Sequence, residues 1–375
     1  MAQNEIATNK STIIGIDIGT AKITAVVARI DGECPEMLGF AGRHFSYGSL
    51  RKELDTTEIT TAHISQVVKD ACLEAGCSTT AAIVGVSCIG MGINSQHVAK
   101  VDGRVSVRHI QNTLHSAARI GRPSSVAILE QVINSFTLAT DNDELEGIEN
   151  PIGLECTRLD THIHTVLYER EWVNTVAKAC KLAGLTVERV TSSELAAAEL
   201  LLTQNEKKDG VCLLDCGGEC TSMFAYRNRA LTYTTSIPWG GEHLDNGLKL
   251  RLGVHAGKAE KAKMTFSKLA AGDDEQSKAI REVLDREFLV LSSHIDTELC
   301  KAGLEDDLTA GIVLTGGTAN LPGLSDTLER TLQMPVRCAE MPSDKWLQNV
   351  PADYAGAIGL IMRKTRLFGA PVNIS

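Results

Sequence analysis

The chain has 375 residues, 43% of them hydrophobic, with eleven cysteines and a formal net charge of −10. That length exceeds one small core and suits two to four compact units, and the acidic balance argues against a nucleic-acid partner held through phosphate contacts. No apolar run is long enough to span a bilayer, residues 1–10 lack an apolar signal region, and cysteines without metal-ligand spacing read as reduced thiols of a cytosolic protein.

Residues 13–18 form a β-branched apolar run that reads as a buried strand. It ends in Asp17 and the turn Gly19-Thr20, and a second apolar strand follows through Val27. A carboxylate on an apolar strand must face a partner or a bound ion. Gly19 lets backbone amides come close to something bulky, and the Thr20 hydroxyl completes a set suited to a phosphate with its hydrated magnesium. An ordinary hairpin with an incidental Asp would look the same at this point. Residues 61–75 read as an amphipathic helix stopped by Gly76, and residues 82–86 as a buried strand.

Between residues 88 and 162 the pattern changes to short alternating strands with one helix over 108–119. Residues 141–147 are acidic and read as a solvated turn. A strand at 163–167, a helix over 171–183 closed by Gly184 and a strand at 186–190 then return the chain to the first unit. Ser192 or Ser193 can cap the next helix, which places Glu194 in its first turn. The helix dipole favours an acid there without any catalytic role.

Residues 211–218 repeat the opening design: an apolar strand, Asp215 at its end, the turn Gly217-Gly218 and a second strand through Tyr226. Each copy continues as a meander, through residues 37–40 in the first and 231–234 in the second. Such a duplication predicts two similar domains facing each other across a cleft. From Trp239 the chain becomes helical and charged, over 242–250, 256–269 and 275–304. Glu260 and Lys263 share one face of their helix, the usual spacing of a surface ion pair. A third strand-to-glycine turn, Thr315-Gly316-Gly317-Thr318, follows, with a helix to residue 333 and a last helix over 354–366 that opens with Ala355-Gly356-Ala357-Ile358-Gly359. Small residues there let two helices cross closely.

These turns resemble those of the actin-type nucleotide-binding superfamily, with Asp17 to Thr20 and Asp215 to Gly218 like its two phosphate loops and residues 315–317 like its adenosine loop. The stretch 260–265 is similar to the helix with which chaperones of the superfamily hold adenosine. Within it, the stretches 147–154 and 311–317 resemble the FtsA cell-division family, and the likeness runs from about residue 13 to 363.

The resemblance implies an α/β, actin-like, ribonuclease-H-like duplicated fold with two domains around a nucleotide cleft. The first domain would hold residues 1–87, 163–190 and 353–375, with an inserted subdomain, 88–162, that makes polymer contacts. The second would hold 191–240 and 305–352, with a small helical subdomain over 241–304. It further implies ATP and Mg2+ as cofactors. Asp17 and Asp215 would face the metal through water, and Glu194 would order water beside it as the catalytic residue. Gly19, Thr20, Lys22, Gly217, Gly218, Glu260, Lys263, Gly316, Gly317 and Thr318 would hold the nucleotide.

The function implied is a filament-forming scaffold that links the FtsZ ring, through the FtsZ C-terminal tail, to membrane proteins of the divisome at the cytoplasmic side of the inner membrane. Arg251, Lys258, Lys261 and Lys263 offer positive charge for that tail. FtsA proteins continue into a linker and an amphipathic membrane-binding helix, and no comparable helix is read before Ser375. That absence favours a pilus-assembly relative of the PilM type as the alternative, with a sugar or acetate kinase third. The second loop departs from the superfamily order Asp-x-Gly-Gly-Gly-Thr-x-Asp at Glu219, Cys220 and Ser222, which implies at most a weak ATPase.

Overall fold

The computed structural model describes residues 11–30, 35–45, 57–87, 90–269, 274–344, 347 and 350–365. The first unit opens with β1 (Ser11–Ile18), β2 (Lys22–Ile30), β3 (Pro35–His44), α1 (Thr57–Ala75) and β4 (Ala81–Val86). Then come β5 (Gly90–Arg104), α2 (Val107–Ala118), β6 (Val126–Ala139), β7 (Glu144–Ile148) and β8 (Glu155–Glu169). The chain continues through α3 (Arg170–Leu182), β9 (Thr186–Ser192), α4 (Ser193–Leu201) and α5 (Gln204–Asp209). The second half holds β10 (Val211–Cys216), β11 (Thr221–Arg227), β12 (Ala230–Ile237), α6 (Gly241–Leu252), α7 (Ala256–Leu269) and α8 (Glu275–Ala302). It closes with β13 (Gly311–Thr315), α9 (Leu324–Leu332), β14 (Val336–Cys338) and α10 (Ala355–Thr365).

The duplication read in the sequence is a duplication of sheets. The first runs β3-β2-β1-β4-β9 and the second β12-β11-β10-β13-β14. In each, the opening strand pairs antiparallel with the next one and parallel with the strand on its other side. Asp17 lies opposite Thr24 and Gly85, and Asp215 opposite Ser222 and Thr315, so the two acids occupy equivalent places.

Burial follows from alternation along the strands. Val211, Leu213, Phe224 and Val313 join the core of the first sheet, together with α4 and α10. Their neighbours Cys212, Leu214, Met223, Ile312 and Leu314 turn to the other face, against Leu244, Phe288, Leu291 and Leu328 of the helices. Two helices cross beneath the cleft because glycine lets them. A Cβ on Gly359 would lie 2.0 Å from Ala196 O, and one on Gly15 2.2 Å from Ala357 O. The small residues at the start of the last helix act as expected.

The region after β4 departs from the sequence reading in two places. The strands are long, 15, 14 and 15 residues for β5, β6 and β8, and they form a third sheet of order β5-β8-β6-β7. Residues 163–167 lie inside β8, with Ile163 opposite both Ser95 and Ile133, and are not a strand of the first sheet. The acidic stretch is a turn only at 141–143. Glu144 onward pairs with β6, with Leu145 opposite Leu138 and Ile148 opposite Phe136, so apolar cross-strand contacts outweigh the local polarity. The expectations for residues 1–10 and for the end of the chain fall outside the described residues. Among those described, no helix is long and apolar enough to cross a membrane.

Candidate functional site

The two glycine turns close alike. Gly19 N donates to Lys22 O at 2.9 Å, and Gly217 N donates to Cys220 O at 2.9 Å. They also face each other. Glu219 N donates to Thr20 Oγ1 at 3.4 Å, and a Cβ on Gly218 would stand 2.8 Å from Ala21 Cβ. The third turn presses on the second: with φ at +88° and Asp215 Oδ1 only 2.3 Å from where a Cβ would be, residue 316 has room for glycine alone. The Thr318 hydroxyl donates to Gly217 O at 2.9 Å. Beside Gly317 the space is open to at least 4 Å.

Three carboxylates lie under these turns. Asp17 accepts from Ser193 Oγ at 2.6 Å and from Ser87 Oγ at 3.3 Å, while burial raises its pKa against those donors. Asp215 is pushed up to about 8, first by burial and then by the charges of Glu194 and Asp17, with Lys22 opposing. Glu194 is fully buried and accepts from Tyr168 at 2.7 Å, Ser192 at 2.8 Å and Ser222 at 3.1 Å. Ser192 also caps α4 by accepting from Leu195 N at 3.1 Å, which leaves Ser193 for Asp17.

Lys22 offsets these acids only in part. Its Nζ is held by Asp353, 3.1 Å from the carboxylate and 3.0 Å from the backbone oxygen, and lies 5.6 Å from the Tyr354 ring centroid. Asp17 and Asp215, raised by burial and by the acids beside them, are short of positive charge, and a divalent cation is the group that fits. Among the described residues no three His, Cys, Asp or Glu side chains converge as direct ligands. A hydrated magnesium held through its water suits that arrangement.

The remaining predicted residues meet at the start of α6. Gly217 O accepts from Gly241 N at 3.0 Å and Gly218 O from Glu242 N at 2.9 Å, so the second glycine turn caps this helix with its own carbonyls. Lys263 reaches back to Gly241 O at 3.0 Å and to Asp245 Oδ2 at 2.7 Å. Asp245 Oδ1 is buried without a hydrogen-bond partner, and the charge of Glu260 contributes to raising the Asp245 pKa behind the larger effect of burial. A Cβ on Gly241 would touch both Thr318 Oγ1, at 3.0 Å, and Lys263 Nζ, at 3.2 Å. Lys263 and Thr318, which the resemblance assigns to the nucleotide, thus lie beside the second turn.

Six polar residues of this site were not read from the sequence as part of it: Ser87, Tyr168, Ser192, Ser193, Asp245 and Asp353. Only Ser192 and Ser193 carried a signal, as the two candidate caps. The thiol reading also needs a correction. Eight of the described cysteines are free, but Cys220 is disulfide-bonded.

Comparison with known proteins bears out the resemblance. The family model described as Cell division protein FtsA matches residues 212–359. The Cell division protein FtsA of Pseudomonas aeruginosa is 29% identical over 374 residues, covering 93% of this chain and 88% of that protein. The Escherichia coli K12 protein of the same name is 24% identical, covering 95% and 90%. Among solved structures, a PilM-PilN type IV pilus biogenesis complex aligns with a TM-score of 0.67 and 18% identity, covering 94% of this chain and 98% of that one. MreB 5 of Spiroplasma citri bound to AMPPNP aligns at 0.51 with 15% identity, covering 95% and 96%. The fold is actin-like, with two domains about a cleft.

Proposed function

We propose that this chain, FtsA-like in sequence and actin-like in fold, is an ATP-binding scaffold of the bacterial division machinery with weak or absent hydrolysis. One observation carries the reading. Two equivalent strand-end acids, Asp17 and Asp215, stand under facing glycine turns, with a third buried acid, Glu194, between the domains.

In this reading the two glycine turns bind the phosphates, with the Gly19 and Gly217 amides closing the turns and those of Thr20 and Gly218 facing the ligand. Asp17 and Asp215 orient water on a magnesium ion, which when bound supplies the positive charge these acids call for. Glu194, held by three hydroxyl donors, orders the nearby water. Lys22 exchanges Asp353 for a phosphate oxygen. Glu260, Lys263 and the open face of Gly317 hold the nucleoside, and Gly316 keeps the third turn close to Asp215. Thr318 lies at the nucleotide in this reading and also supports the second turn through Gly217 O.

The inserted unit at 88–162 then touches the next subunit of a head-to-tail filament, and the helical unit at 241–304 receives the FtsZ tail. Lys258 and Lys261 are exposed there, while Arg251 already pairs with Glu282 at 2.9 Å. Membrane proteins of the divisome complete the partners, at the cytoplasmic face of the inner membrane.

A PilM-type pilus role is the second reading, favoured by the structural match of 0.67. Calorimetry separates outcomes. Mg-ATP should bind the wild type and bind Asp17→Asn and Asp215→Asn more weakly; unchanged affinity in both would sink the assignment. Binding of a pilus-component peptide in place of an FtsZ-tail peptide would select the second reading.

A further inference from the structure

The third sheet is joined to the first domain by chain at both ends, and side chains fasten it there too. Glu130 on β6 forms an ion pair with Arg363 of α10 and accepts from Thr191 Oγ1 on β9 at 2.5 Å. The same sheet also grips the second domain. Its contact is with β12, the outer strand of the second sheet, whose free edge would otherwise present unpaired backbone groups.

The grip is a row of side chains. Asn134 uses both ends of its amide on one residue: Nδ2 donates to Leu231 O at 2.9 Å and Oδ1 accepts from Leu231 N at 2.9 Å. Asn94 Nδ2 donates to Thr232 O at 2.7 Å. That fixes Asn94 Oδ1 as the acceptor from His164 Nδ1 at 2.7 Å, so the imidazole carries its proton on Nδ1. Its Nε2 then accepts from Thr234 Oγ1 at 3.0 Å. Gly90 N adds a bond to Ser236 Oγ at 3.3 Å. His164 is 1% exposed, and burial lowers its pKa to about 4, so it stays neutral in this role. Gly92 makes room beneath, since a Cβ there would lie 2.2 Å from His164 Nε2 and 2.4 Å from Thr234 Oγ1.

Strand β12 is well placed to carry force. It pairs with β11, which leads from the second glycine turn and holds Ser222 against Glu194. On its other side Tyr233 donates to Glu298 of α8 at 2.7 Å. We propose that the third sheet is a strap across the two domains, and that Asn94, Asn134 and His164 form a latch on β12 that holds the cleft closed. This rests on the reading of the cleft as a nucleotide site only for its consequence, which is slow release of nucleotide. Opening the cleft while the strap stays on the first domain must break the latch, and the inserted unit thereby senses the state of the site.

The test uses the full chain with Asn94→Ala/Asn134→Ala, and separately Thr234→Val, which removes one hydroxyl at nearly constant volume. Without nucleotide, hydrogen exchange over residues 230–237 should quicken at least about tenfold in the double variant, and small-angle scattering should show a more open particle. Both measurements judge the latch even if ATP never binds. With a fluorescent ADP, dissociation should quicken by about the same factor. Unchanged exchange and scattering in both folded variants would overturn the proposal. So would faster exchange with an unchanged particle shape, because the row would then be local packing. Failure of the wild type to bind nucleotide would overturn the proposed function instead.

Discussion

Tyr168 donates its hydroxyl hydrogen to Glu194 Oε2 over 2.7 Å, joining the third sheet to the helix that starts beneath the cleft. Burial and the neighbouring Glu194 hold the phenol well above its usual pKa, so it remains a donor at any pH the protein meets. Hydrogen bonds to a charged group contribute about 1.5–3 kcal/mol. Tyr168→Phe keeps the ring and leaves Glu194 with two donors, so urea unfolding should show a loss in that range. A loss under about 0.5 kcal/mol would mean that the bond does not hold the carboxylate.

Stability should also depend on pH in a definite direction. Asp215 is raised to about 8, so between its unfolded value and 8 the folded state binds the extra proton, and stability falls as pH rises. Asp17 acts in the same sense. His164 acts the other way: its pKa is lowered from 6.5 to about 4, so its contribution is lost as pH falls through that interval. Above about 6.5 only the acids operate. In EDTA the melting temperature should therefore drop from pH 6.5 to 8, and magnesium with ATP should restore it at pH 8. A flat profile in EDTA would show that the acids are not coupled as described.

Legibility from sequence followed range. Strand-end acids and glycine turns are local, and Asp17, Asp215 and Gly316 stand where their motifs imply. The crossing helices were legible in the small residues 355–359, of which Gly359 meets Ala196 of α4, whereas Gly356 makes room for Asp17. What stayed hidden depends on pairs far apart in the chain, 97 residues for Asn134 with Leu231 and 331 for Lys22 with Asp353. An Asn on a strand or an Asp before a helix carries no mark of a distant partner. The third sheet was misread at its end because an alternating strand reads alike in either sheet.

The helix crossing supplies a steric prediction. A methyl at 359 would stand 2.0 Å from Ala196 O, with backbone and not a flexible side chain in the way. Overpacking of this kind costs about 1–3 kcal/mol or more, since α4 and α10 must separate. Gly359→Ala should lose at least that much in denaturant, whereas Gly153→Ala, with open space around it and only φ +84° against it, should lose less. Equal losses would show that the crossing is looser than its distances.

The last prediction concerns turnover. The second glycine turn reads Asp215-Cys216-Gly217-Gly218-Glu219-Cys220-Thr221-Ser222, with an acid where the superfamily has its third glycine. A carboxylate ~4 Å from a terminal phosphate costs about 4 kcal/mol at a dielectric of about 20. Cys220 offers no hydroxyl. Its sulfur is in a disulfide, and even a reduced thiol is a weak donor. Ser222 replaces an acid with a hydroxyl that donates to Glu194 at 3.1 Å, so this position now restrains the residue that should order water. The first turn is untouched by these changes, so under the proposed function ATP binding should persist while hydrolysis is slow. Steady-state phosphate release by the wild type should be near background. Glu219→Gly with Cys220→Thr should raise it about tenfold or more, with ATP affinity the same or higher. Brisk wild-type release that the double substitution leaves unchanged would show that the turn does not limit the reaction.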